Sequence, residues 1–123
     1  MKTPRDYRDF LNDIVAACRS IISFTNGMDL DAYLTDEKTR FAVMRGFEII
    51  GEAVRHVPDD VRAGNPHIPW SLMAAMRNRI IHGYFGIDDS VLFATIEADL
   101  KPLLPALQTL ARQHGAGRLE TPE

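Results

Sequence analysis

The strongest constraint on the fold is a run of apolar residues at helical spacing near the start of the chain. Between positions 7 and 25, one helix face with a period near 3.6 carries Tyr7, Phe10, Leu11, Ile14, Val15, Cys18, Ile21, Ile22 and Thr25. No window alternates apolar and polar residues with the period of two that is typical of strands. The pattern therefore predicts an all-α protein.

Capping and turn residues predict where the first helices begin and end. Thr3 is expected to cap the first helix, and Gly27 to end it, because glycine readily adopts positive φ. A short helical turn is expected over residues 29–34. Asp36 is then expected to cap a second long helix that closes near Pro58.

The second long helix carries an apolar face with two glycines inside it. The face consists of Phe41, Met44, Phe47, Ile50, Gly51 and Val54. A glycine in a helix interior costs about 1 kcal/mol relative to alanine. We therefore expect another backbone to approach closely at Gly46 and Gly51, with a partner subunit as one candidate.

The second half of the chain completes a bundle. A loop is expected over 59–69, a third helix from Trp70 to His82, and a fourth that Asp88 or Asp89 caps. Pro102 and Pro105 are expected to kink that helix or to split off a final short helix that ends at about Gln113. These elements predict an up-and-down bundle of four to five helices over residues 1–113, followed by a flexible tail over 114–123.

Composition narrows the classes of protein further. No apolar run approaches the roughly 18 residues that span a bilayer, and the N-terminal residues lack the apolar core of a secretory signal. We therefore expect a cytoplasmic protein. Cys18 is the one cysteine, which excludes an internal disulfide, and we expect its thiol to be buried. The net charge is −3, although residues 38–79 hold seven basic and four acidic residues, mostly arginines on the basic side. Phosphate recognition and ordinary salt pairs both remain open explanations.

The segment RNRIIHGY, from Arg77 to Tyr84, concentrates polar side chains at the end of the third helix. Its chemistry fits RNA cleavage without a metal ion. Histidine moves protons near neutral pH, which makes His82 the candidate general acid or base. Arginine binds phosphate and stabilises charge on it, which is the role expected for Arg77. Asn78, one turn before His82, is expected to orient the imidazole or to bind phosphate.

Two observations keep other interpretations open. Arg77 and His82 are five residues apart, so an ideal helix separates them by about 140°. They meet only if the arginine reaches round the helix, or across an interface with a second copy. A salt bridge from Arg77 to Glu48 or Glu52 fits the sequence equally well. The other histidines have no metal-ligand spacing, so we expect neither a metal site nor another cofactor.

The segment RNRIIHGYFGID, residues 77–88, resembles the signature of the HepT-like proteins, a branch of the HEPN superfamily. The Arg-x4-His-x-Tyr pattern falls on Arg77, His82 and Tyr84, with the frequent asparagine at Asn78. The similarity continues through DEKTRFAVMRGFEIIGEAV at 36–54, IPWSLMAAM before the motif, RDYRDFLNDIVAA and DLKPLLPAL. It covers most of the chain up to about residue 110.

The resemblance implies properties that the composition does not show. They are a HEPN helical bundle, a homodimer whose motifs face a shared cleft, and metal-independent RNA cleavage by a toxin of a type II or VII toxin–antitoxin pair. The implied partner is a nucleotidyltransferase antitoxin of the MntA type, which would silence the toxin by transferring AMP to Tyr84. The alternative is a non-catalytic helical module that docks a nucleotidyltransferase or a nucleotide.

Overall fold

The fold is helical throughout the part of the chain that the structure describes. The computed structural model describes residues 5–82 and 88–115, and for Ile81 and His82 it describes the backbone. The helices are α1 (Tyr7–Phe24), α2 (Leu30–Leu34), α3 (Glu37–Val54), α4 (Asp59–Ala63), α5 (Trp70–His82), α6 (Asp89–Thr95) and α7 (Lys101–Gln113), with a π-helical segment over Ile96–Leu100. No strand occurs within these described ranges, and the predicted all-α bundle is confirmed.

The three most extensive helix–helix contacts place α3 at the centre of the bundle. α3 packs against α1 on one side and α5 on the other, while α7 packs against α1. Fully buried side chains from α1, α2, α3, α7 and the π-helical segment form the core, among them Ile14, Ile21, Tyr33, Val43, Ile50, Val54, Ile96 and Leu110. α5 is therefore anchored chiefly through its contact with α3.

The start of α1 differs from the sequence prediction. Its N-cap is Asp6, whose carboxylate accepts a hydrogen bond from the Arg8 amide at 2.9 Å. The Asp9 carboxylate in turn accepts from the Asp6 amide at 3.0 Å. This reciprocal pair satisfies amides at the helix start, so the prediction of Thr3 as the cap is wrong. The end is as predicted, because Gly27 follows α1 with φ of 78°.

The caps of the other helices largely follow the sequence. Asp29 caps α2 and Asp36 caps α3, each through its side chain. Asp88 caps α6, accepting from the amides of Ser90 and Val91, which decides between the two aspartates. The segment expected to be a loop over 59–69 begins instead with α4, whose first turn carries two aspartates that favour a helix N-terminus.

The buried face of α3 differs in part from the one that the sequence indicated. Phe41 is 59% exposed, whereas Val43 is fully buried. Phe47, Ile50, Gly51 and Val54 face the core as expected. The face is wider than a single stripe because α3 has neighbours on two sides.

The two glycines of α3 face helices of the same chain. A Cβ at Gly51 would lie 2.3 Å from Arg77 Cβ and 3.1 Å from the Met73 carbonyl oxygen, so α5 passes directly over it. A Cβ at Gly46 would lie 2.6 Å from Ile21 Cγ1 in α1. The expected close approach is confirmed at Gly51, but the partner-subunit explanation of these glycines is wrong, since the chain's own helices occupy that space.

The prolines of the last helix do not break it. The helical course from α6 to α7 continues through the π-helical segment, and the irregularity lies just before Pro102 rather than at the prolines. A proline at this place lacks an amide hydrogen and its ring crowds the carbonyl one turn back. A wider π turn before Pro102 accommodates both effects, so the chain continues as α7.

The end of α7 is tied to the start of α1. The Tyr7 hydroxyl lies 3.0 Å from His114 Nδ1, and the two rings meet edge to face. His114, expected as the first residue of a flexible tail, therefore contacts the bundle. Residues 116–123 lie outside the described residues, and the division of the chain into a domain and a tail stays a prediction.

Two further sequence predictions concern burial and membranes. Cys18 is fully buried, as expected, and burial raises the pKa of its thiol to about 12. No helix among the described residues has the length and apolar character needed to cross a membrane. The cytoplasmic location stays a prediction.

The close contact at Gly51 predicts an unusual effect of alanine. Alanine should gain about 1 kcal/mol from helix propensity. It should nevertheless lower the free energy of unfolding by about 1–3 kcal/mol, because the new methyl group meets the α5 backbone. Chemical denaturation of Gly51→Ala measures the change. Gly46→Ala serves as the comparison and should lose less, since its methyl group would meet the Ile21 side chain rather than the backbone of a neighbouring helix. A Gly51→Ala protein as stable as the parent would contradict the contact.

Candidate active site

α5 carries Arg77 and Asn78 along the side of α3 and continues to the position of His82. Arg77 is partly buried against α3, while Asn78 and Arg79 are exposed on other faces of the helix. The backbone of α5 continues to His82, whose side chain lies outside the description. Tyr84 lies outside the described residues altogether. The structure thus locates Arg77 and Asn78 and the helical position of His82.

Arg77 forms an ion pair with Glu52 of α3. The distance from Arg77 Nε to Glu52 Oε1 is 3.1 Å, and the side chains are 25% and 47% exposed. The Oε1 atom is enclosed and forms no aligned hydrogen bond, so the contact is chiefly electrostatic. Of the two salt bridges that the sequence left open, the one to Glu52 is confirmed. The one to Glu48 is wrong, because Glu48 pairs with Arg45 on its own helix at 3.2 Å.

The second carboxylate oxygen of Glu52 has a partner of its own. His56 Nε2 lies 3.2 Å from Glu52 Oε2, one helical turn further along α3. The His56 ring stacks on Phe10 of α1, with ring centroids 4.2 Å apart and planes 13° from parallel. A chain of contacts therefore runs from Phe10 through His56 and Glu52 to Arg77.

The charge around Glu52 shifts its ionisation. The hydrogen bond from His56 lowers the pKa of the Glu52 carboxyl below its ordinary value, and the positive charges of Arg77 and Arg55 lower it further. Arg55 Nη1 lies 3.6 Å from Glu52 Oε1. Glu52 is therefore ionised at neutral pH and holds a negative charge beside Arg77.

The role of His56 in this cluster was not predicted from the sequence. Its signal was the spacing of Glu52 and His56, four residues apart on one helix face, where a carboxylate and an imidazole meet. That spacing is common on helix surfaces, which is why it did not stand out. What the sequence could not show is that the same carboxylate also contacts α5.

A groove of about 340 Å³ opens beside Arg77 between α1, α3 and α5. Its charged lining residues come as three pairs, each an arginine with a carboxylate: Arg5 with Asp13, Arg45 with Glu48, and Arg77 with Glu52. The contact of Arg77 is made through Nε. Its two terminal nitrogens, the edge that binds a phosphate bidentately, are therefore not needed for the pair with Glu52.

In an ideal helix, positions 77 and 82 of α5 lie on different sides. Arg77 is drawn toward α3 by Glu52. His82 follows five residues later, about 140° around the helix. Asn78 lies nearer to the His82 direction and is exposed. Within one copy of the chain, the described residues do not bring Arg77 around to the side of His82.

The other side of α5 borders a larger, mostly apolar groove of about 750 Å³. It runs between α5 and the last helical stretch, over a floor of Phe47 and Ile50, and Arg79 stands at its edge. Leu72, on the same wall, is 69% exposed. α5 therefore presents apolar surface on the side that α3 does not cover.

In residues 5–82 and 88–115, no three side chains of histidine, cysteine, aspartate or glutamate lie close enough together to hold a metal ion. The polar chemistry that the structure does show is the cluster of Arg77, Glu52 and His56.

Comparison with known proteins identifies relatives of this chain. A protein of Thermococcus cleftensis named "Probable ribonuclease HepT" is 42% identical over 108 residues, covering 88% of this chain and 98% of the relative. A protein of Methanocaldococcus jannaschii named as an RNase is 45% identical over 89 residues, covering 72% of this chain and 74% of the relative. Another, from Caldanaerobacter subterraneus, is 35% identical over 103 residues, covering 84% and 89%.

No solved structure matches the chain. The family described as "Ribonuclease HepT-like" matches residues 14–110, which include α1 from Ile14 onward, all of α3 and the motif on α5. The match covers well over half of the chain, and the relatives match it along most of their own length. The chain belongs to the HepT-like ribonuclease family.

Proposed function

We propose that this protein is an endoribonuclease that cleaves RNA without a metal ion, with Arg77 and His82 as its catalytic residues. The observation that carries the proposal is the placement of Arg77. An ionised carboxylate contacts it through Nε, which leaves the terminal nitrogens for a phosphate, on the helix that continues to His82. Membership of the HepT-like ribonuclease family supports RNA as the substrate.

The chemistry requires only groups that this motif supplies. The 2′-hydroxyl of a ribonucleotide attacks the adjacent phosphorus, a new oxygen–phosphorus bond forms, and the bond to the 5′-oxygen of the next nucleotide breaks. His82 moves the proton between the reacting oxygens and solvent. Arg77 holds the phosphate and stabilises the charge that grows on it. Asn78 orients the imidazole or contacts the phosphate.

We further propose that the active unit is a homodimer. Arg77 is held on the α3 side of α5, and His82 lies about 140° away on the same helix. A second copy that brings its own His82 toward Arg77 overcomes this separation. The exposed apolar side of α5, with Leu72, offers surface for such a contact. The glycine-bearing face of α3 is not part of the proposed interface, since α1 and α5 cover it.

The proposal extends to control by a partner. From the family resemblance, the protein is the toxin of a toxin–antitoxin pair in the cytoplasm. Its partner is a nucleotidyltransferase antitoxin of the MntA type, which transfers AMP from ATP to the hydroxyl of Tyr84. Tyr84 stands two residues after His82 in the sequence. A phosphate attached there would compete with the substrate phosphate for Arg77.

Replacing the proposed proton-transfer residue tests the assignment. His82→Ala should abolish RNA cleavage while leaving the helical circular dichroism spectrum intact, because the motif supplies one proton-transfer group. Cleavage of a labelled RNA by the purified protein, in buffer with excess EDTA, is the measurement. Arg77→Lys should also lose activity, since an ammonium group cannot reproduce the bidentate contact.

Three outcomes would count against this function. A His82→Ala protein that cuts RNA as fast as the parent would remove His82 from the mechanism. Loss of the parent's activity in EDTA, with recovery on adding magnesium, would contradict the metal-independent reaction. A parent protein that binds a nucleotidyltransferase but never cuts RNA would favour the non-catalytic module.

The control by AMP transfer predicts a mass change at one residue. Protein produced together with its cognate transferase should gain mass in AMP units, all on Tyr84, and should lose ribonuclease activity. Tyr84→Phe should gain none and stay active, since it lacks the hydroxyl. Peptide mass spectrometry locates the modification. AMP on another residue, or full activity of the modified protein, would refute this part while the ribonuclease proposal stands.

A further inference from the structure

We propose that Glu52 is a positioning residue for Arg77, which fixes the direction of the guanidinium for the phosphate of the RNA. This inference rests on the proposed function, because it assigns a role in that reaction. The alternative is that the Arg77–Glu52 pair serves only to hold α3 and α5 together. The geometry of the contact favours the positioning role.

The part of the Arg77 guanidinium that Glu52 contacts favours the positioning role. Glu52 Oε1 lies 3.1 Å from Nε of Arg77, at the inner end of the guanidinium. A carboxylate that opposed phosphate binding would occupy the terminal nitrogens, where two parallel hydrogen bonds form. The electrostatic contact at Nε instead draws the inner end of the guanidinium toward Glu52, while the terminal edge remains available.

Glu52 is itself held in place by neighbouring side chains. His56 binds Oε2 at 3.2 Å, and stacking on Phe10 holds His56 against α1. Both carboxylate oxygens are therefore engaged, each by a group on a different side. A carboxylate fixed from two sides can define the orientation of a long, flexible arginine, whereas a mobile one cannot.

The short distance between the backbones of α3 and α5 also favours the positioning role. Gly51, the residue before Glu52, allows α5 to approach until a Cβ at position 51 would lie 2.3 Å from Arg77 Cβ. This approach brings the base of the Arg77 side chain next to Glu52. The α3–α5 contact and the ion pair therefore act at the same point of the structure.

Exposure also favours the positioning role. Although Oε1 itself is enclosed, the Arg77 and Glu52 side chains are 25% and 47% exposed, and an ion pair between partly exposed side chains contributes little to folding. The buried side chains along α3 already hold the bundle together. Removing the carboxylate should therefore change the orientation of Arg77 more than the stability of the protein.

Glu52→Gln tests the proposal by separating kcat from KM. Misplacement of a catalytic group by about 1 Å can cost roughly 100-fold in rate, so we expect kcat to fall about 10- to 100-fold. KM should change less than about three-fold, because Arg77 keeps its charge for binding RNA. Glu97→Gln is the matched control: Glu97 is 43% exposed and pairs with Lys101 at 2.8 Å, away from Arg77, and its kcat should equal that of the parent.

A measurement independent of activity checks the same point. The NMR signal of the Arg77 side-chain Nε–H, assigned by its loss in Arg77→Lys, should shift and sharpen in Glu52→Gln as the side chain becomes mobile. The thermal midpoint should stay close to that of the parent. An Arg77 signal unchanged by Glu52→Gln, or a kcat within two-fold of the parent, would overturn the positioning role. A kcat loss matched by an equal fall in stability would assign the pair to folding alone.

Arg77→Ala, assayed in the same experiment, distinguishes failure of the positioning role from failure of the proposed catalytic function. If Arg77→Ala is inactive and Glu52→Gln is fully active, Arg77 acts without Glu52 and the positioning role fails alone. If Arg77→Ala cuts RNA as well as the parent, the proposed catalytic function itself fails. Glu52→Asp, with a shorter side chain, should recover part of the kcat that Glu52→Gln loses, because it restores the charge.

Discussion

The close packing of α5 on α3 at Gly51 is the contact on which the rest of the site depends. Because glycine has no side chain, the α5 backbone can lie within van der Waals distance of α3 at this position. Arg77 stands at that point, and Glu52, the next residue of α3, reaches it with a carboxylate at 3.1 Å. A methyl group at position 51 would separate the helices and move the arginine away from its partner. Gly51 therefore links the packing of the bundle to the placement of Arg77, the arginine that we propose to be catalytic.

This arrangement explains how an overall acidic chain can present the arginine that we propose to be catalytic. The net charge is −3, and the arginines of the groove beside α3 are each paired with a carboxylate. Such pairs are exposed and weakly stabilising, so they restrain side chains without removing their capacity to donate to a phosphate. Affinity for RNA would then come from a few oriented contacts rather than from a broad basic surface. A salt-bridged arginine and a catalytic arginine are compatible descriptions of Arg77.

The sequence predicted the helices and the motif better than it predicted how they pack. Helical periodicity and side-chain caps such as Asp36 depend on neighbours a few residues away, and the structure confirms them. Thr3 failed as a cap because Asp6 and Asp9 cap each other. The partner of Gly51, the exposure of Phe41 and the link from His56 to Arg77 depend on which helices meet, and periodicity does not encode that. Arg77 could be named from its motif, but its orientation needed the structure.

We propose that Arg77 and His82 act together, although their positions lie about 140° apart on an ideal helix. Mixed dimers of one Arg77→Ala copy and one His82→Ala copy test it most directly, purified with two affinity tags. If Arg77 of one copy works with His82 of the other, the mixed dimer retains one intact site and should recover about half of the parent's RNA cleavage, while each variant homodimer stays inactive. A mixed dimer as inactive as both homodimers would contradict a site shared between copies.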